Sequence, residues 1–129
     1  MQSQTVKISR PTQRINLLLI EDNPDDATFI EEVLKLQDVY SSIEISQASR
    51  LLEGLAYLAQ DSFDVILLDL SLPDASSTDS VTRILSHSPE APIIVLTGWD
   101  DKDTALEALH KGAQDYLIKD NVSCDLLIR

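Results

Sequence analysis

The stretch LLIEDNPDD, residues 18–26, joins an apolar run to four carboxylates that fall within six positions. The run that leads into it, INLLLI over residues 15–20, is apolar on both faces, which is typical of an interior strand of a parallel sheet with helices on each side. Asn23 can serve as a helix N-cap, and Pro24 then occupies the first helical position, where proline is favoured. The stretch therefore predicts a buried strand that turns into a helix at a crowded acidic corner.

The same alternation of strand and helix continues along the chain. Helical spacing of apolar residues separates the runs, for example at Leu51, Leu55 and Leu58 and again at Val81 and Ile84. The predicted strands are INLLLI (15–20), IEIS (43–46), FDVILLDL (63–70), PIIVLT (92–97) and DYLIK (115–119). Such alternation predicts an α/β domain with a five-stranded, doubly wound parallel sheet, in which the alternating run IEIS suits an edge.

The length of 129 residues and the hydrophobic content of 43% predict one globular domain. Residues 1–14 are polar and without periodicity, so we expect a flexible lead-in there and a domain over residues 15–129. The last segment, NVSCDLLIR, begins a fifth amphipathic helix that is cut short after about two turns. We therefore expect the chain to be a fragment of a longer polypeptide.

The net charge of the chain argues against some classes of binding partner. The chain holds 10 basic and 22 acidic residues, a net charge of −12, which would repel a nucleic-acid backbone or an anionic membrane surface. No apolar run reaches the roughly 18 residues that span a bilayer. We expect a cytoplasmic protein with no direct contact to nucleic acid or membrane.

The four acids of the opening stretch separate into two pairs. Asp25 and Asp26 fall in the first turn of the predicted helix, where the helix dipole favours anions. Glu21 and Asp22 have no such explanation, because they lie at the carboxyl end of the strand, before the cap. Ligands of open α/β sheets bind beyond the carboxyl ends of the strands, which makes this second pair a candidate site.

A third acid, Asp69, ends the central strand in VILLDLSLPD. If the strand order is 2-1-3-4-5, the ends that carry Glu21, Asp22 and Asp69 converge. Three carboxylates in one pocket require a cation, and hard oxygen ligands without histidine or cysteine favour Mg²⁺. The next two strands end in Thr97 and Lys119, a hydroxyl and an ammonium that could hold a phosphoryl group on Asp69.

With these residues in place, the chain resembles the CheY-like receiver domains of two-component response regulators, over about residues 15–129. The resemblance rests on Glu21 and Asp22 in LLIEDNP, Asp69 and Pro73 in LLDLSLP, Thr97 in VLTG, and Lys119 in YLIK. It implies a flavodoxin-like sheet with strand order 2-1-3-4-5.

The resemblance also implies a function. Asp69 would accept a phosphoryl group from a histidine kinase or histidine phosphotransfer protein and later release it by hydrolysis. Asp22, Asp69 and the backbone carbonyl of Ser71 would contact Mg²⁺ directly, with Glu21 acting through water.

The resemblance further implies a switch in which Thr97 turns toward the phosphoryl group and Tyr116 moves inward. That change would reshape the surface around helix 4 and strand 5, which would bind a downstream output domain or protein. A second copy of the chain, giving a homodimer, is a further expected partner.

Some positions depart from the family pattern. Ser77 stands where many receivers have glycine. Trp99, two positions after Thr97, can obstruct the attacking water, and we hypothesise that it slows autodephosphorylation; Ser71 is a second candidate modulator of that rate.

Three other protein classes share parts of this pattern. A flavodoxin-type redox protein would need a loop of amides after the first strand, and EDNPDD would repel a phosphate. A haloacid-dehalogenase-type phosphatase would need a carboxylate at the position of Ser71. A pseudo-receiver that acts only as a protein-interaction module remains the alternative.

Overall fold

The computed structural model describes residues 13–36, 41–75, 78–98 and 101–119. The predicted fifth helix lies outside these ranges, as do Ser77, Trp99 and most of the predicted lead-in. The elements are β1 (Gln13–Ile20), α1 (Pro24–Leu36), β2 (Ser41–Ala48), α2 (Leu51–Gln60), β3 (Val65–Asp69), α3 (Asp79–His87), β4 (Ile93–Thr97), α4 (Lys102–His110) and β5 (Asp115–Ile118).

All five strands are parallel and form one sheet in the order β2-β1-β3-β4-β5. This is the predicted order 2-1-3-4-5, with β2, the alternating strand, at one edge. Strand β1 begins at Gln13, two residues before the predicted start of the domain. The position of β1 and β3 as neighbours at the centre of the sheet brings their carboxyl ends side by side.

The central strands are apolar on both faces because helices cover both. In β1, Leu18 and Ile20 pack on one side with residues of α2, α3 and α4, whereas Leu17 and Leu19 pack on the other side with residues of α1. All four side chains are buried. Each would lose roughly 1.5–3 kcal/mol of burial free energy if it were exposed, so the register of β1 in the sheet is strongly fixed.

The start of α1 is held as the sequence predicts. The side-chain Oδ1 of Asn23 accepts hydrogen bonds from the backbone N–H groups of Asp25 and Asp26, at 2.9 and 3.1 Å. Pro24 is the first helical residue, where its missing N–H leaves no donor unpaired. This cap fixes the angle at which α1 leaves the strand and so sets where its first turn lies beside the sheet.

The start of α2 is capped from a distance. Arg50, the residue before the helix, makes no side-chain cap hydrogen bond. Instead, the two carboxylate oxygens of Asp74 accept the N–H groups of Leu51 and Leu52, at 2.9 and 3.0 Å. The loop that follows β3 is thereby tied to α2.

In the described ranges, no helix has the length and apolarity to cross a membrane.

Candidate functional site

Three carboxylates meet where β1 and β3 end. Glu21 and Asp22 follow directly after β1, and Asp69 is the last residue of β3. Because Ile20 pairs with Leu68 across the two strands, the side chains that follow emerge at the same edge of the sheet. One oxygen from each of the three carboxylates lies within 4.8 Å of the others. Glu21 and Asp69 are buried, whereas Asp22 is exposed.

Lys119 brings the positive charge to this cluster. It follows the last residue of β5, and its Nζ donates a hydrogen bond to Glu21 Oε2 at 3.2 Å. The same Nζ lies 3.0 Å from Glu21 Oε1 and 3.5 Å from Asp69 Oδ2 as ion-pair contacts. The structure therefore brings together four of the predicted site residues: Glu21, Asp22, Asp69 and Lys119.

Two oxygens in the site are buried without a hydrogen bond. Neither Glu21 Oε1 nor Asp69 Oδ2 accepts a hydrogen bond from the described residues, although Lys119 lies close to both. Buried acceptors in proteins are nearly always satisfied, so these two oxygens mark where an additional group would bind. Clustered carboxylate oxygens with no nitrogen or sulfur donor match the ligand preference of a hard divalent cation. The acidic cluster is thus able to hold a metal ion.

The electrostatics of the cluster support this inference. Burial, followed by the effect of the neighbouring Asp69 carboxylate, raises the pKa of Glu21 to about 8, against an ordinary 4.5. The pKa of Asp22 is also raised, first by desolvation and then by Asp69. Burial alone would lower the pKa of Lys119, but the carboxylates of Asp26, Asp69 and Glu21 raise it instead. One ammonium does not neutralise this many acids, so a bound cation would relieve the repulsion.

Asp69 is oriented by the loop that follows it. The backbone N–H of Ser71 donates a hydrogen bond to Asp69 Oδ1 at 3.0 Å. This bond fixes one oxygen of the carboxylate and leaves Oδ2 as the oxygen without a donor. Ser71 itself is exposed, and the part of its backbone carbonyl in metal binding stays a prediction.

Thr97 and Tyr116 lie apart from this cluster of contacts. Thr97 is buried at the end of β4, and its hydroxyl contacts the backbone carbonyls of Asp101 at 3.3 Å and Gly98 at 3.5 Å. The hydroxyl is thus engaged with the loop after β4 and not with Asp69. Tyr116, in β5, is half-buried and packs against the core on the side of α2, α3 and α4. Their predicted parts in switching stay predictions.

Asp26 is a member of the site that the sequence reasoning missed. It was predicted only to favour the positive end of α1, and it does lie in the first turn of that helix. Its Oδ2 also accepts a hydrogen bond from Lys119 Nζ at 3.0 Å, the shorter of the two hydrogen bonds that this ammonium makes to described residues. The sequence carried one signal for this contact, an acid one turn into a helix that leaves the candidate site. That signal becomes informative only when β5 is known to end nearby.

Comparison with known proteins shows which family has this fold and these residues. The family model of the response regulator receiver domain matches residues 17–129. Response regulator protein PilR of Pseudomonas aeruginosa is 34% identical over 106 residues, which cover 82% of this chain and 23% of PilR. The chain therefore spans about a quarter of the length of that curated relative.

Solved structures show the same fold. A response regulator receiver domain protein from Clostridium thermocellum is similar with a TM-score of 0.77 and 31% identity, over 88% of this chain and 89% of that one. A response regulator protein from Burkholderia pseudomallei, solved with a phosphorylated aspartic acid, a calcium ion and citrate, has a TM-score of 0.74 and 30% identity. That similarity covers 88% of this chain and 64% of the other.

Proposed function

The chain belongs to the response regulator receiver domain family, the signalling domains of two-component systems, and we propose that Asp69 is its phospho-acceptor. The donor would be the phosphohistidine of a histidine kinase or of a histidine phosphotransfer protein. The observation that carries this proposal is Asp69 Oδ2, a buried carboxylate oxygen that accepts no hydrogen bond among the described residues and lies 3.5 Å from Lys119 Nζ. An oxygen so placed is available as a nucleophile beside a positive charge.

Metal binding completes the site in this proposal. Glu21, Asp22 and Asp69 would hold Mg²⁺, with the backbone carbonyl of Ser71 as a further ligand and Glu21 acting through water. When bound, the ion would supply charge neutralisation for the incoming phosphoryl group. Glu21 Oε1, a buried oxygen that lacks a hydrogen bond among the described residues, and the raised pKa of Glu21 support a divalent cation here. A calcium ion in the related Burkholderia pseudomallei structure agrees with that class of ion.

The chemistry follows from these positions. Asp69 Oδ2 attacks the phosphorus of the phosphohistidine, an O–P bond forms, and the P–N bond breaks, with its electron pair leaving on the imidazole nitrogen, which then takes up a proton. Lys119 pairs with an oxygen of the transferred group, and Ser71 N–H holds the other carboxylate oxygen in place. Water later attacks the same phosphorus, which releases inorganic phosphate and regenerates the carboxylate.

Signalling would use Thr97, Tyr116 and the surface formed by α4 and β5. On phosphorylation the Thr97 hydroxyl would leave the carbonyls of Asp101 and Gly98 and bond a phosphoryl oxygen, while Tyr116 moves inward against the core. The surface formed by α4 and β5 would change with them and bind an output domain, a separate partner protein or a second copy of the chain. We place this activity in the cytoplasm.

Phosphorylation by a small-molecule donor tests the proposal directly. The parent protein, incubated with acetyl phosphate and Mg²⁺, should gain one phosphoryl group by intact mass spectrometry. The Asp69→Asn variant should gain none, because its amide oxygen is a poor nucleophile, whereas Asp61→Asn, at an exposed position after α2, should behave as the parent. A parent that stays unmodified would favour the alternative, a pseudo-receiver that acts only as an interaction module.

A further inference from the structure

The hydrogen bonds of Lys119 point to a partner outside the phosphorylation machinery. An ammonium has three N–H donors. In the described structure Lys119 directs them to Glu21 Oε2 and Asp26 Oδ2, at 3.2 and 3.0 Å, while Asp69 Oδ2 lies 3.5 Å away and accepts none. The ammonium therefore forms a hydrogen bond to Asp26 on α1, whereas its contact with Asp69 is an ion pair without a hydrogen bond.

Asp26 is well placed to hold it there. Its backbone is fixed by the α1 cap, through the bond from its N–H to Asn23 Oδ1. Its side chain and Lys119 line a small cavity of about 20 Å³ together with Phe29 and Ile30, so Lys119 reaches along the first turns of α1. Asp26 is not a member of the carboxylate triad of Glu21, Asp22 and Asp69 that could hold a metal. Asp26 is therefore a partner of Lys119 that is not itself a candidate metal ligand.

We propose that Asp26 is a positioning residue that competes with the phosphoryl group for Lys119 and thereby limits how fully the site is phosphorylated. The inference rests on the proposed function of Asp69. When a phosphoryl group occupies Asp69, Lys119 moves its hydrogen bond from Asp26 Oδ2 to a phosphoryl oxygen. Asp26 is the partner given up, since its side chain is 42% exposed and water can replace the ammonium, whereas the side chain of Glu21 is fully buried. The resting pair must break for the occupied state to form.

Binding of beryllofluoride, a phosphoryl mimic, measures this competition without turnover. At saturating Mg²⁺, calorimetric titration should show Asp26→Asn binding beryllofluoride about two- to fivefold more tightly than the parent, the range expected for release of a partly exposed ion pair. Asp25→Asn is the matched control. It removes the same charge from the neighbouring residue of α1, but the Asp25 carboxylate forms no ion pair among the described residues. It should bind as the parent does.

A conservative variant separates competition from a general effect on the fold. Asp26→Glu keeps the carboxylate and should restore the affinity of the parent. Beryllofluoride binding by Asp26→Asn that is equal to or weaker than that of the parent would overturn the inference, as would an equal gain in Asp25→Asn. A parent that binds no beryllofluoride would overturn the proposed function as well, so the two failures are distinguishable.

Discussion

Replacing Glu21 by glutamine should stabilise the metal-free protein at neutral pH. Glu21 is fully buried beside Asp69, and its pKa is raised to about 8. The folded state therefore keeps a proton on this carboxyl at pH values where the unfolded chain has lost it. Because the folded state binds more protons, stability falls as the pH rises from about 4.5, the ordinary value, to about 8. Glutamine imitates the protonated carboxyl and never ionises, so the variant escapes this loss.

The size of the effect follows from the two pKa values. At pH 7 an ordinary glutamate is almost fully ionised, whereas a group with a pKa of about 8 keeps most of its proton. The corresponding penalty is about 3 kcal/mol at pH 7 and falls below about 1 kcal/mol at pH 5. Lys119 keeps Asp26 and Asp69 as partners in the variant, so its charge stays paired.

Urea denaturation in the presence of EDTA measures the difference. The free energy of unfolding of Glu21→Gln should exceed that of the parent at pH 7, and the two should approach each other at pH 5. Glu32→Gln, at an exposed position of α1, is the control and should follow the parent at both pH values. A gain of the same size at pH 5 and pH 7 would refute the reasoning, because it would arise from packing and not from a suppressed ionisation. Added Mg²⁺ should stabilise the parent more than the variant.

Three further changes test other parts of the molecule. Asp74→Ala removes the acceptors for two N–H groups of α2 and should lower the free energy of unfolding by about 1–2 kcal/mol. Burial opposes ionisation of Asp74, but these hydrogen bonds lower its pKa, so the loss of stability should fade as acid protonates Asp74 in the parent. An unchanged urea midpoint at pH 7 would contradict this prediction. Gly112→Ala should lower the free energy of unfolding by about 1–3 kcal/mol, because φ is 123° and a Cβ would lie 2.5 Å from Leu85 Cδ1. Gly98→Ala is the control and should leave stability nearly unchanged, because its Cβ meets no atom within 4 Å. Equal losses of stability in the two variants would argue against strain at Gly112. Trp99→Ala should lose its aspartyl phosphate faster than the parent, measured by phosphate release, and an equal rate would count against the shielding hypothesis.

The sheet was largely predictable from local pattern. The run at residues 15–20 is apolar at every position except Asn16, and that pattern predicts a strand covered on both sides, which β1 is. IEIS alternates and forms part of the edge strand β2. The N-cap at Asn23 was also local, since Asn-Pro before an acidic turn is a short-range signal. These features depend on residues within one or two turns of each other, and that range is what a sequence pattern reports.

The choice of side-chain partners depended on the tertiary structure. Lys119 bonds acids that are 98 and 93 residues away, at Glu21 and Asp26, and Asp74 caps a helix 23 residues before it. The sequence placed carboxylates and an ammonium at strand ends, because the carboxyl ends of parallel strands share one edge. It could not say which oxygen each N–H would reach, nor that the Thr97 hydroxyl would contact the loop after β4. Those choices depend on distances between side chains on different elements, and these distances are set only when the sheet is assembled and both helical layers are packed.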